Sequence, residues 1–488
     1  MRRVWLVAVL FLVLIPIYGL IQQLQVVWPF TLDDTYITLR YARHWAEGYG
    51  ILWNLGEPPV EGYSNFSFLV LARLAFIFGF NPIIVFKIAG IMSLFVLLMM
   101  LFCLSRFWVA ARFAWIPSVW LSAYCGQIIW SVSGLETTFY QMLMVTTVYL
   151  LLRGIRCSKR NRSVAFIGAG ITLALAGLTR PEAVACMLVF LGLVAWHAKS
   201  EPALWLGWRQ FFLTLMICFL PYFIWRVTYF HHLFPNPVYC KGFVDRWNTV
   251  LDQNYLRLIW PFALVTIPLF RASKHQEYIF LWILSVVYLL LCFGADPVSS
   301  FLNRLFLPAF ALLLPLTLIA LVQWCRRDWL IYTVSGIWLL GFVPMMSLAD
   351  YRHFTVNPRA GEHLRRQVLQ WLDAHSVPGQ QVALADSGLI PFYSQLPFID
   401  TYCLNNLTMT QPPRMSMYGR ICRDILKKQV PFIILTAHQQ RGRIEYTPAD
   451  ACLSKILALS KDYQEVARFK SFENASDYYQ YIIYARSF

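Results

Sequence analysis

Long apolar runs constrain this chain more than any other feature. The first extends from residue 4 to about residue 27, directly after the basic Arg2 and Arg3. Ten more follow, near residues 83–104, 113–130, 138–152, 164–178, 183–195, 211–224, 258–270, 278–293, 305–322 and 330–348. About 20 apolar residues span the ~30 Å hydrocarbon core of a bilayer, so the pattern predicts a polytopic α-helical membrane protein of about 11 transmembrane helices. The first run exceeds the 7 to 15 residues typical of a signal-peptide core and lacks a small-residue cleavage site, and therefore reads as a retained span.

The remaining composition fits this class. Charged residues are 14% of the 488, against roughly 25% in a soluble domain, and hydrophobic residues are 58%. The net charge of +16 would suggest a nucleic-acid partner in a soluble protein. Here its distribution gives another reason, and no nucleic acid is expected.

Basic residues gather in alternate connections. With the N-terminus in the cytoplasm, the inner segments carry Arg106 and Arg112, then Arg153 to Arg162, Lys199 and Arg209, Arg271 and Lys274, and Arg326 and Arg327. Only Glu201, Glu277 and Asp328 oppose them. That asymmetry is the positive-inside pattern. The other face holds Asp33, Asp34, Glu61, Glu136 and Glu182 among its acids. The carboxylates and the C-terminal region fall on the outer side, which is the periplasm in a bacterium and an organelle lumen in a eukaryote; the expected location is a bacterial inner membrane, multi-pass.

Two stretches of the first outer loop stay off the span count. Residues 32–48 read as an amphipathic helix lying at the interface, and residues 64–80 as a second, apolar but interrupted by Arg73. From Asp350 the hydropathy collapses. Helical periodicity at residues 361–375 and 415–428 alternates with strand-like runs at 381–385, 431–436 and 478–484. The division expected is a transmembrane domain over residues 1–349 and a soluble α/β domain over 350–488. Of the 11 cysteines, Cys403, Cys422 and Cys452 fall in the outer domain, where one disulfide or buried free thiols are the alternatives.

Chemistry concentrates where ionisable residues abut apolar runs. Asp33-Asp34 begins the first outer loop: one acid suffices to cap a helix, while two adjacent carboxylates raise each other's pKa toward a range useful to a general base. Ser133-Gly134-Leu135-Glu136-Thr137, Thr179-Arg180-Pro181-Glu182 and Asn303-Arg304 reach the same face from different spans. Such groups are costly beside a bilayer and usually line a pathway or cavity, although Arg180 and Glu182 can also simply pair. Pro235-Asn236-Pro237 forms a rigid turn leading to Lys241. Outward carboxylates with Arg180, Lys241 and Arg304 suit a lipid-linked phosphate, whose developing charge needs preorganised donors. His231-His232 has no third ligand at metal spacing.

Leu32-Asp33-Asp34-Thr35-Tyr36-Ile37-Thr38-Leu39-Arg40, continued by Glu61-Gly62-Tyr63-Ser64-Asn65, resembles the first outer loop of the GT-C membrane glycosyltransferases. The similarity is to the branch with the mycobacterial terminal arabinofuranosyltransferases, and it continues through the Glu136, Arg180-Pro181-Glu182, Asn236 to Lys241 and Arg304 motifs. Gly388-Leu389-Ile390-Pro391 and Ile399-Asp400 of the outer domain also match. Pro237, Cys240 and Ala183 depart from the pattern.

The resemblance implies an inverting transfer of a sugar, a pentose such as arabinofuranose among the candidates, from a polyprenyl-phosphate donor to a cell-envelope glycan or glycolipid. Asp33 or Asp34 takes the catalytic position. Lys241, Arg304 and Arg180 would bind the donor phosphate, and Glu136, Glu182, Arg40, Tyr63, Asn65 and Asn236 would shape the sugar and acceptor pocket. A divalent cation is left open, with Asp33 and Asp34 its ligands if it is used. The alternative class is a transporter or lipid flippase with an accessory outer domain; it would favour polar residues near mid-span and related halves, and neither is evident.

Overall fold

The computed structural model describes residues 17–157, 159–241, 253–270, 276–291, 301–325, 327–342, 348–410, 417–440, 442–471 and 478–487. It divides into two compact units. One comprises residues 1–28, 86–225 and 242–351; the other joins residues 29–85, 226–241 and 352–488.

Helices of the first unit follow the apolar runs. Among the described residues, six are long and apolar enough to cross a membrane: Pro82–Ser105, Thr137–Arg156, Asn161–Thr179, Ala183–Ser200, Leu204–Phe230 and Leu302–Trp324. The run at 113–130 is not one span. It forms Ala111–Ala114, Ile116–Ala123 and Cys125–Val132, broken where Tyr124 adopts an extended backbone. Hydropathy registers apolarity and not such a break. Leu307–Trp324 is buried from Leu307 to Leu321, as expected of a central helix packed on all sides.

One end of this unit gathers the expected cytoplasmic connections. Arg112 pairs with Asp328, Arg156 with Glu277 and Arg162 with Glu201, so the three acids of those connections each meet a base from another one. The Thr137–Arg156 helix starts beside Glu136 and ends in this belt. At 1.5 Å per residue, its 20 residues place Glu136 about 30 Å from the belt.

The second unit is built on a mixed six-stranded sheet, ordered β2-β1-β3-β6-β5 with β4 also paired to β3. Its strands are β1 Val382–Leu384, β2 Phe398–Asp400, β3 Phe432–Gln440, β4 Arg443–Tyr446, β5 Tyr463–Lys470 and β6 Tyr478–Arg486. β1 runs parallel to β2 and β3, whereas β6 is antiparallel to β3 and β5. Central β1 and the first half of β3, Phe432 to Leu435, are runs of buried apolar residues; edge strand β5 exposes Glu465, Arg468 and Lys470, which discourages further pairing. The Leu348–His375 helix buries Leu364, Val368 and Leu372, one per turn. Helices Met417–Lys427 and Pro448–Leu457 are joined by a Cys422–Cys452 disulfide, and Cys403 is disulfide-bonded as well.

The first-loop helices are Asp34–Ala46 and Phe66–Ile77. The former differs from the interfacial helix expected, because every residue from Thr35 to Ala42 is buried. Its covering comes from Phe66–Ile77 and from the Leu389–Ser394 helix, where Tyr36 meets Phe392 and Tyr393 with ring centroids 5.7 and 5.9 Å away. Arg43 lies over the Phe392 ring at 3.8 Å.

Candidate functional site

The expected site residues form two clusters, one in each unit. The Asp33 cluster begins with an acid that does not cap its own helix. Its Oδ1 instead accepts the Leu389 N–H at 2.9 Å and lies 3.2 Å from Arg365 Nε. Arg365 also donates to Asp386 Oδ2, from Nε at 3.2 Å and from Nη2 at 3.0 Å. Tyr479 and Tyr481 donate their hydroxyls to the same Asp386. Two carboxylates thus share one guanidinium. Burial raises the pKa of Asp33; Arg365 opposes the rise, Asp386 adds to it, the Leu389 amide opposes and Asp34 adds, and the result is about 6. Asp34 is half-buried at the first position of the helix.

Three other first-loop residues, and Asn236, serve the packing of this unit. Arg40, expected at the pocket, is buried, and its guanidinium is spent on structure: it donates to Trp53 O at 2.8 Å, Asn54 Oδ1 at 3.1 Å, Leu396 O at 2.8 Å and Pro391 O. Tyr63 is buried against Tyr41 and Phe230. Asn65 Oδ1 accepts the Thr38 hydroxyl at 2.9 Å. Asn236 N–H donates to Glu61 O at 3.0 Å and Asn236 Nδ2 to Asn406 O at 3.2 Å, which fixes the start of the Asn236–Lys241 helix. Lys241 ends that helix, and its side chain lies outside the described residues. Asp400 organises its own loop by accepting N–H groups of Tyr402, Cys403 and Asn405 at 2.7 to 2.9 Å.

Glu61 has a partner that the sequence reading did not name. Arg226 donates to both Glu61 oxygens, at 2.8 and 2.6 Å, and both residues are buried. A guanidinium inside the apolar Leu204–Phe230 run was a usable signal. Arg365 and Asp386 offered none, being ordinary polar residues in a polar region.

The second cluster surrounds Glu136. Its Oε1 accepts Arg180 Nη1 at 2.9 Å and Arg304 Nη2 at 3.2 Å. Arg180 also meets Glu182 through Nε at 3.3 Å and Nη2 at 2.7 Å, while Arg304 Nε donates to Thr137 Oγ1 at 3.1 Å. The pairing of Arg180 with Glu182 is therefore real, and Glu136 ties that pair to Arg304. Arg304 lies over the Trp130 ring at 5.1 Å. Burial would raise the Glu182 pKa, but Arg180 holds it below the ordinary value. Gly134, at φ +85°, makes the turn that presents Glu136 at the head of its helix. Two guanidiniums balance two carboxylates here.

Residues 351–484 match the family model of a domain of unknown function, DUF8728. No curated protein matches the chain. Among solved structures, ArnT from Cupriavidus metallidurans bound to undecaprenyl phosphate is 14% identical, with 98% of this chain and 97% of that one aligned at a TM-score of 0.58. The archaeal oligosaccharyltransferase AglB from Archaeoglobus fulgidus, in complex with an inhibitory peptide and a dolichol-phosphate, is 9% identical over 88% of this chain and 74% of its own, at 0.54. The chain has the GT-C fold. Proteins of the GT-C fold are integral membrane proteins, in keeping with the six apolar helices.

A GT-C fold leaves metal use open. Among the described residues no group of three or more His, Cys, Asp or Glu side chains is placed to hold an ion, and Asp33 Oδ1 already faces the Arg365 cation.

Proposed function

We propose that this chain is an inverting glycosyltransferase that moves a sugar from a polyprenyl-phosphate donor to a glycan or glycolipid of the cell envelope. The observation that carries the reading is the GT-C fold over nearly the whole chain, shared with a protein that binds undecaprenyl phosphate, in a molecule whose first outer loop opens on paired acids. Asp33 or Asp34 takes the proton of the acceptor hydroxyl. The acceptor oxygen attacks the anomeric carbon as the bond to the lipid phosphate oxygen breaks, and the configuration inverts. A carboxylate with a pKa of about 6 is ionised near neutrality yet still basic enough for this work.

Arg180 and Arg304 neutralise the phosphate that departs. Glu136 and Glu182 keep the two guanidiniums in fixed directions. Arg40, Tyr63, Asn65 and Asn236 hold the loop that carries the acids. The outer domain faces an oxidising compartment, a reading supported by the Cys422–Cys452 disulfide.

The test is reconstitution of the purified protein with polyprenyl-phosphate-linked arabinofuranose, aminopentose and hexose, alongside mass spectrometry of envelope glycolipids and polysaccharides from cells with and without it. One of these donors is consumed, and cells lacking the protein lose one sugar residue. Envelopes of identical composition, with no transfer from any donor, would refute the reading.

A further inference from the structure

Every group that holds Asp33 comes from the segment matching the domain of unknown function. Arg365 projects from the Leu348–His375 helix, Asp386 follows β1, and Tyr479 and Tyr481 stand two apart on β6 and so share one face of the sheet. The two tyrosine hydroxyls and the Arg365 guanidinium converge on Asp386. Arg365 is thereby anchored on the sheet side, with its guanidinium ion-paired to Asp33 at 3.2 Å.

Gly388 closes the other side. A Cβ at this position would stand 2.2 Å from Asp33 Cγ and Oδ2 and 2.3 Å from the Asp33 carbonyl oxygen. Because one of those atoms is backbone, a rotamer change cannot relieve the clash. Asp33 Oδ1 thus accepts the Leu389 N–H and is ion-paired with Arg365, and no hydrogen bond to Oδ2 is found among the described residues.

We propose that Arg365, Asp386 and Gly388 are positioning residues that aim the Asp33 carboxylate, so that the 351–484 domain completes the transfer site instead of serving as an accessory. The proposal rests on the reading of Asp33 as the base. A carboxylate with one oxygen held and the other directed needs no reorganisation to accept a proton, which is how a rigid supporting shell adds to rate without adding to substrate affinity. The competing account is a staple that ties the first loop to the domain with no bearing on chemistry.

The experiment uses the full chain with whichever polyprenyl-phosphate sugar proves active, and the variants R365Q, R365K, G388A, D33N and D33N/R365Q. R365Q and G388A are expected to lower kcat by ~10- to 100-fold with the donor KM within about twofold, R365K to recover part of the loss, and the double variant to be no slower than D33N. Amide exchange is followed in parallel. It should accelerate in peptides covering residues 386–396 in R365Q and G388A, while those of β3 and β6 stay protected.

Full kcat in R365Q and G388A beside an inactive D33N would overturn the positioning role and leave the base assignment standing. Full activity of D33N would instead remove the base assignment. Exchange then decides alone: acceleration at 386–396 in R365Q keeps the domain as the element that fixes Asp33, and unchanged exchange overturns that too.

Discussion

Replacing Asp33 by Asn should make the protein more stable while disabling it. The folded-state pKa of Asp33 is raised from 3.8 to about 6, chiefly by burial. A raised value means that the folded chain binds this proton more tightly than the unfolded chain does. The associated stabilisation is therefore complete below about pH 4 and is lost as pH rises through 6. At 1.36 kcal/mol per pH unit, the ionised form costs about 3 kcal/mol at pH 7.5 relative to a neutral side chain of the same shape. Asn keeps the Oδ1 that receives the Leu389 amide beside Arg365, and it never ionises. D33N should consequently melt above the wild type at pH 7.5, by up to the equivalent of about 3 kcal/mol, and the gap should close on acidification to pH 4. Tryptophan-fluorescence melts of the detergent-purified proteins at both pH values measure this. A D33N protein that melts below the wild type at pH 7.5 would refute the reasoning, for it would mean that attraction to Arg365 outweighs the burial of the charge.

Three further outcomes can be checked. The kcat/KM profile should fall about tenfold between pH 7 and pH 5 as a base with a pKa near 6 is protonated, and D34N should move that limb to lower pH by removing a neighbouring negative charge; a flat profile would place the base elsewhere. E61A or R226A should each cost about 3 to 5 kcal/mol in thermal or denaturant unfolding, because the remaining partner is left as a buried unpaired charge, and loss of less than about 1 kcal/mol would show that the pair is solvated. C422S should cost ~3 to 4 kcal/mol of stability in the sheet-containing unit on the loop-entropy account for a 30-residue separation, and non-reducing peptide mapping of the wild type should recover the Cys422–Cys452 pair.

What the chain reveals before folding depends on contrast. Glu136, Arg180 and Arg304 stand out because an ionisable residue at the edge of an apolar run is rare and costly, and these three do converge. Asp33 and Asp34 stand out for the same reason. Arg365 and Asp386 do not, since they lie 332 and 353 positions beyond Asp33 in a region rich in polar residues, where no local pattern distinguishes a working side chain from a solvated one. The fate of Arg40 shows the opposite error. An arginine on a loop helix suggests a ligand, yet its donors are consumed by Trp53, Asn54, Pro391 and Leu396, none of which is predictable from the helix that bears it. The short helices within residues 111–132 fall between these cases: the apolarity was legible, and the extended backbone at Tyr124 that interrupts the run was not.

Charge balance separates the two clusters and gives a last test. Asp33 and Asp386 share one guanidinium, which leaves an excess negative charge at this cluster. Arg180 and Arg304 face Glu136 and Glu182, and their sum is zero. A phosphate arriving at the second cluster must therefore compete with the carboxylates already present. E136Q keeps an Oε1 for both guanidiniums and removes one negative charge, so the cluster becomes a net cation. At an effective dielectric near 20, a unit charge at hydrogen-bond range contributes up to about 4 kcal/mol; with screening and rearrangement a tenfold gain in donor affinity, about 1.4 kcal/mol, is a conservative expectation. Equilibrium binding of polyprenyl phosphate to wild type and E136Q at two salt concentrations measures it. Tighter binding that weakens with salt supports a phosphate site at Arg180 and Arg304, whereas equal or weaker binding by E136Q would remove the donor phosphate from this cluster.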